Sequence, residues 1–336
     1  MLTEALIERV LEAAPRLRIG VLGDLFLDRY FDLDARLTEP SIETGLDAYQ
    51  VFRIRNYPGA AGTVINNLSA LGVGAILPIS VIGDDGEGLE LSRCLLGLSA
   101  VRAELVFSSP QRFTPTYAKP MLCAGQTARE LNRIDIKNRA RLPVQEEGQV
   151  IDALERVWPH LDALAVLDQV SEEDCGVVTT KVRAKLAELA MDGKPVLADS
   201  RERIGLFHGC MLKPNEAECR KAVGASPTIG AAAQALACRV GRPVFCTCGA
   251  AGILVADPER GVVAHAPAYE VTAPIDPVGA GDSTSAGILC ALAAGVSCAE
   301  AAAFGALVAS ITIQQIGVTG TATPEQVRAR WREVGV

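Results

Sequence analysis

The feature that most constrains this chain is a rhythm, in which short apolar runs alternate with amphipathic helical segments along most of its length. The runs are RIGVLG (18–23), AILPISVIG (75–83), ALAVL (163–167), PVLAD (195–199), CMLK (210–213) and PVFCT (243–247). Between them, Ala61, Val64, Ile65, Leu68 and Leu71 recur at helical spacing. Segments 86–97, 146–157, 172–191 and 229–239 read as further helices. Short, nearly continuous apolar runs suit strands buried on both faces. Alternation with helices therefore predicts an α/β fold, a doubly wound, mostly parallel sheet with helices on both faces.

Two segments break the rhythm. Residues 30–57 and 110–136 are polar, β-leaning and without helical periodicity. Both are inserted early between elements of the main layer, so they read as a small β-sheet lid over the site. The expectation is one domain over 1–336, with the lid built from these two insertions.

With 49% hydrophobic residues the chain can bury a large core. Its 32 Lys plus Arg against 40 Asp plus Glu give a net charge of −8, which argues against nucleic acid as a main partner. Ten cysteines without a C-x-x-C pair, and three scattered histidines, give a zinc site little support and suggest reduced thiols. Cys246 and Cys248 have the spacing of one strand face. The early acidic residues of MLTEALIERV do not follow the basic-then-apolar order of a signal peptide. The uncharged run 301–323 carries Ser310, Thr312, Gln314 and Gln315 and reads as a buried helix and turn, not a membrane span. A cytoplasmic protein with no membrane role is expected.

Chemistry concentrates in DPVGAGD, residues 276–282. Gly279, Ala280 and Gly281 open a helix, where backbone amides without partners and the helix dipole make an anion site. No G-x-x-x-x-G-K-[ST] occurs, and the third glycine of a dinucleotide fingerprint is Thr284 here. A lone G-x-G of this kind is usually an ordinary turn with its aspartate as a cap. Yet a carboxylate beside an anion hole has one clear use, taking the proton of a hydroxyl that attacks phosphorus.

DPVGAGD resembles the D-[TP]-x-G-A-G-D signature of the PfkB (ribokinase-like) carbohydrate kinases. Further stretches resemble that family in the same order: GDLFLDRY (23–30), PGAAGTVINNLSALG (58–72), VIGDDGEG (81–88), KPNEAEC (213–219) and TCGAAGILV (247–255). Together they span about 18–323. PTYAK (115–119) and NRID (132–135) are similar to the heptose-phosphate kinase branch.

The resemblance implies a ribokinase-like fold and ATP-dependent phosphorylation of a hydroxyl on a sugar or sugar phosphate. It implies Asp282 as catalytic base, with the amides of Gly279, Ala280 and Gly281 as anion hole. Asn215 and Glu218 would position Mg²⁺, although N-x-x-E also fits a helix-capping box. Lys213, Asn215, Thr247, Gly249, Gly252 and Asp276 would border the nucleotide; Asp276 either helps hold the phosphate region or braces the loop. Asp28, Gly59, Asn67 and Lys119 fall on the sugar side. The family also implies a possible monovalent cation such as K⁺ and a possible homodimer through the lid.

The sugar end departs from the family pattern. Where G-G-x-x-x-N is usual, the chain reads Gly59-Ala60-Ala61-Gly62-Thr63, and DQVSEEDC after residue 167 lacks the heptose branch's D-Y-x-K-G. For an acceptor that carries its own phosphate, Arg53, Arg55, Arg112 and Arg133 are the lid-side cations available. Two alternatives keep the fold, a nucleoside kinase and a catalytically silent sugar- or nucleotide-binding regulator.

Overall fold

The computed structural model describes residues 2–124 and 127–335. Residues 125 and 126, within the second expected insertion, lie outside the described residues.

The first half of the chain forms α1 (Glu4–Ala13), β1 (Arg18–Gly23), β2 (Leu25–Asp34), β3 (Glu39–Pro40), β4 (Asp47–Ala48), β5 (Val51–Ala60) and α2 (Ala61–Ala70). There follow β6 (Ala75–Gly83), α3 (Gly86–Leu96), β7 (Val106–Ser109), β8 (Thr116–Ala124), β9 (Thr127–Glu130), β10 (Ile134–Ile136) and α4 (Val144–Val157). The second half forms β11 (Ala163–Asp168), α5 (Thr180–Leu189), β12 (Val196–Ser200), β13 (Met211–Leu212), α6 (Glu216–Val223), α7 (Ile229–Val240) and β14 (Val244–Thr247). It ends with β15 (Ile253–Asp257), β16 (Gly261–Ala266), α8 (Ala280–Ala293), α9 (Cys298–Thr312) and α10 (Pro324–Val334).

Among the described residues the main sheet has nine strands in the order β16-β15-β14-β13-β12-β11-β1-β6-β7. From β14 to β7 every pairing is parallel, while β15 and β16 add an antiparallel edge. The expected doubly wound sheet is therefore present, and all six apolar runs coincide with its strands.

Helices cover both faces. One apolar cluster contains Val10, Leu68, Ile288 and Phe304 from α1, α2, α8 and α9; the other contains Leu154, Val182 and Leu236 from α4, α5 and α7. Each such side chain taken fully out of water contributes roughly 1.5–3 kcal/mol before entropy is counted. Residues Ser283 to Leu292 of α8 are all buried. A Cβ on Gly287 would stand 2.9 Å from the Gly305 Cα, so α8 and α9 cross nearly backbone to backbone. That crossing fixes where the first turn of α8 points. No helix of the described residues is long and apolar enough to cross a membrane.

The lid is a second sheet, ordered β10-β8-β2-β5, with β9 on β8. Its strands begin before residue 30 and run past residue 57, because β2 leaves β1 after Asp24 alone and β5 runs into α2 without a loop. The Asp24 carboxylate accepts from the amides of Gln169, Val170 and Val177 at 2.7–3.0 Å. This long-range anchor holds 169–177 as a loop, so α5 starts at Thr180 and not near the expected 172.

Candidate active site

The first turn of α8 opens toward the carboxyl ends of the parallel strands. Gly279 has φ +80°, and a Cβ there would fall 2.5 Å from the Thr319 Cγ2, so glycine is required on two counts. The Ala280 amide donates to Pro277 O at 3.1 Å and is taken by the turn. The amides of Gly279, Gly281 and Asp282 have no hydrogen-bond partner among the described residues. Of the three amides expected to form an anion hole, those of Gly279 and Gly281 are therefore free, and Asp282's own amide is free beside them. Asp276 braces the loop: its carboxylate accepts from the amides of Val278 and Gly317, both at 3.1 Å.

Below this turn a charged cluster assembles from two neighbouring strand ends. Lys213, just past β13, is buried, and its Nζ lies 2.8 Å from the Asp199 carboxylate on β12. The same ammonium would be 3.6 Å from a Cβ on Gly281, beside these amides without partners. Burial presses the Lys213 ammonium toward the neutral form, but Asp199, with help from Asp282 and Glu218, holds it charged. Asp282 is partly buried, and burial, then the Asp199 carboxylate, pushes its carboxyl up to about 7 against the pull of Lys213 and Arg201. A carboxylate so tuned is poised to exchange a proton near neutral pH.

Asn215 and Glu218 form the capping box in full. The Asn215 side chain accepts from the Glu218 amide at 2.9 Å, and the Glu218 Oε2 accepts from the Asn215 amide at 2.8 Å. Burial, with Asp199 nearby, raises Glu218 despite that bond. Glu218 thus lies where negative charge outweighs positive, a carboxylate that a nearby divalent cation would suit. Among the described residues no three His, Cys, Asp or Glu side chains converge as ligands. A cation here would keep most of its water and rely on phosphate oxygens, as Mg²⁺ does.

Backbone shapes the region expected to border the nucleotide. The Thr247 amide donates to Pro214 O at 2.9 Å, tying the end of β14 to the 213–215 turn. Gly252 has φ +91°, and a Cβ there would meet Ala266 O at 2.1 Å. Gly249 has φ +56° and opens to solvent.

On the sugar side, Gly59 leaves room for Asp28, whose Oδ2 would be 2.6 Å from a Cβ at that position. The Lys119 Nζ lies 3.0 Å from Asp28 Oδ1 and 3.1 Å from the Tyr30 hydroxyl. Asp28 is also close enough to raise Asp282, which joins the two halves of the site. Ala60, standing where the family has its second glycine, adopts φ +53° and ψ −118°. A side chain there is held in a backbone region that suits glycine.

Some expected residues lie elsewhere. Asn67 is fully buried in α2, with its amide donating to Thr63 O at 2.9 Å, so it cannot face a sugar. Arg53 and Arg55 both bond Asp32. Arg133 bonds Asp135 at 2.6 Å. Arg112 is buried and donates to Cys175 O at 2.7 Å, beneath the lid and not on it. The VIGDDGEG stretch works at the lid's base, where Asp85 accepts from the Gly88 amide at 2.7 Å and the Thr114 amide at 2.8 Å. Asp199 and Arg201 were not singled out from sequence. Their place at the carboxyl end of a parallel strand was the available signal.

A family model described as pfkB family carbohydrate kinase matches residues 114–326. The chain belongs to the pfkB family. It is 31% identical over 337 residues to the Bifunctional protein HldE of Trichlorobacter lovleyi, covering 96% of the chain and 65% of that protein. It is likewise 31% identical over 339 residues to the Bifunctional protein HldE of Citrifermentans bemidjiense, covering 98% of the chain and 66% of that protein. The chain therefore spans just under two thirds of the length of these relatives. Among solved structures, ribokinase of Arabidopsis thaliana complexed with ribose and ATP superposes with a TM-score of 0.67 at 17% identity, covering 94% of this chain and 98% of that one. Phosphofructokinase-2 of Escherichia coli in complex with substrates and products gives 0.72 at 18% identity, with 95% and 100% covered. These likenesses establish the ribokinase-like fold.

Proposed function

We propose that this pfkB kinase transfers the γ-phosphoryl group of ATP to a hydroxyl of a sugar or sugar phosphate, with a heptose-phosphate-like acceptor. The observation that carries the reading is Asp282, a carboxylate pushed up to about 7 in the first turn of α8, beside amides without partners and the Lys213 ammonium. In this reading Asp28, braced by Lys119, orients the acceptor by its hydroxyls. The attacking hydroxyl gives its proton to an Asp282 carboxylate oxygen as its own oxygen bonds to the γ-phosphorus and ADP leaves. The amides of Gly279, Gly281 and Asp282, with Lys213, stabilise the charge on the transferring phosphoryl oxygens. Mg²⁺ held near Glu218 and Asp199 would offset phosphate charge and align the chain of phosphates.

Residues 1–336 are read as one kinase domain that the lid closes, excluding water and limiting wasteful hydrolysis of ATP. The outer lid exposes Val51, Phe52 and Ile54 on β5, an apolar face suited to pairing with a second copy of the chain. A monovalent cation such as K⁺ would bind backbone carbonyls, and a cytoplasmic location suits dependence on ATP.

The test is transfer from [γ-³²P]ATP to a panel of sugars and sugar phosphates, with and without EDTA. A labelled sugar product that disappears with EDTA, and with Asp282→Asn while nucleotide still binds, supports the kinase. Sugar and nucleotide binding without transfer across the panel would overturn it.

A further inference from the structure

Among the described residues, two that are not glycine adopt a positive φ, Ala60 and Asp174. At Asp174, with φ +56°, the side chain offsets the cost: its carboxylate accepts from the Thr180 amide at 2.8 Å and the Thr180 hydroxyl at 3.0 Å. Ala60, at φ +53° and ψ −118°, has only a methyl group. Glycine would take that backbone freely. Backbone held in such regions clusters at ligand sites, where the strain belongs to the function.

Ala60 is half-buried and packs against the apolar cluster of Phe26, Val170 and Cys175. Phe26 and Val170 also line a pocket under the lid, so Ala60 extends the apolar part of that wall. Its place along the chain is equally specific. Gly59, immediately before it, leaves room for the Asp28 carboxylate. Thr63, one turn after it, has its Cγ2 3.6 Å from the position of a Cβ on Gly279. Residues 59–63 therefore run from the carboxylate assigned to the acceptor's hydroxyls to the turn assigned to the phosphoryl group. An acceptor that spans those two points passes Ala60. The neighbouring Ala61 amide is taken by Asp24 O at 3.0 Å and offers no donor there.

We propose that Ala60 is a specificity-determining residue, whose methyl closes this stretch of the site to an acceptor hydroxyl and selects an acceptor that presents a C–H face to it. A hydroxyl pressed against the methyl would lose water without gaining a partner. A C–H in the same place gains close dispersion contacts instead. The methyl also fills space that glycine would leave open, which excludes a projecting substituent. The acceptor class is thus a sugar that lacks a hydroxyl at the carbon facing Ala60, or whose hydroxyl there points to the other face of the ring. The inference rests on the kinase reading for what the bound sugar does, but the selection itself is open to measurement without turnover.

The experiment compares the wild-type chain with Ala60→Gly on matched probes: glucose, mannose and ribose with their monodeoxy derivatives, each free and as its terminal phosphate. Binding is read by saturation-transfer NMR with a non-hydrolysable ATP analogue and Mg²⁺ present, and transfer by kcat/KM in the labelled assay. At one ring position the wild type should prefer the deoxy sugar, or the epimer, over its partner. Ala60→Gly should shrink that preference on the order of tenfold, the usual worth of one methyl-sized change in a pocket. Affinity for the ATP analogue should be unchanged. A ratio of two acceptors on one sample does not depend on the fraction folded, so a purely structural effect of the glycine leaves it unmoved. An acceptor profile with the same order and ratios in both proteins would overturn the proposal. Binding preferences that shift while neither protein transfers phosphate would instead strike the kinase reading and leave this one standing.

Discussion

The Lys213 ammonium stands 2.8 Å from the Asp199 carboxylate, at the foot of the helix turn that carries Asp282. This single buried cation serves Asp199, Asp282 and Glu218 together. Lys213→Met should therefore do two things. Removing one partner of a buried pair should destabilise the fold by roughly 3–5 kcal/mol, read by urea unfolding. The Asp282 carboxyl should titrate above about 7, its position with lysine in place, which ¹³C NMR of labelled aspartate in metal-free protein would show.

Asp282→Asn should reduce phosphoryl transfer by about 10²–10⁴-fold, the usual worth of a positioned base. Nucleotide binding should be retained, because the backbone amides are unchanged. The measure is single-turnover transfer at saturating ATP.

The same carboxyl makes stability depend on pH. Its folded value, about 7, lies above the ordinary 3.8. Between those values the folded state holds the proton more tightly than the unfolded chain, so stability falls as pH rises through that window. In EDTA the melting temperature should decline from pH 4 toward pH 7 and then level off as far as this group is concerned. Asp282→Asn should flatten that decline, and a wild-type curve that matched the variant would contradict the assignment.

Ala60 sits at φ +53° and ψ −118°, so Ala60→Gly should relieve strain of about 1–3 kcal/mol. Glycine's larger unfolded entropy takes back roughly 0.5–1 kcal/mol. A net gain on the order of 1 kcal/mol in urea unfolding is expected, with Ala60→Val destabilising instead.

Lys119 braces Asp28 at 3.0 Å, so its effect should appear on the acceptor and not on the nucleotide. Lys119→Met should raise the acceptor KM about tenfold, as the loss of a charge-assisted contact does. The KM for ATP should be unchanged in the same assay.

The main sheet was readable because buried parallel strands are written as continuous apolar runs: RIGVLG and AILPISVIG match β1 and β6 to the residue. The start of α5 was not readable, because the Asp24 carboxylate, far away in sequence, gathers the amides that keep 169–177 out of a helix. In the site, DPVGAGD and KPNEAEC carried Asp282 and Lys213 as local patterns. Asp199 and Arg201 had none, since they come near Lys213 and Asp282 only when β12 and β13 lie side by side. Asn67 misled for a related reason: its helical position is clear from sequence, but the direction its face turns is set by packing.

The direct passage of β5 into α2 has a mechanical meaning. Leu25 and Ala60 are paired across β2 and β5 at the lid's root, and the Ala61 amide donates to Asp24 O at 3.0 Å. One turn later Thr63 places its Cγ2 3.6 Å from the position of a Cβ on Gly279. Lid strand β5, its junction at Ala60 and helix α2 thus form one continuous path from the lid to the turn that opens α8. On the kinase reading, a lid that moves with its acceptor would carry that movement through Thr63 to the turn that precedes Asp282.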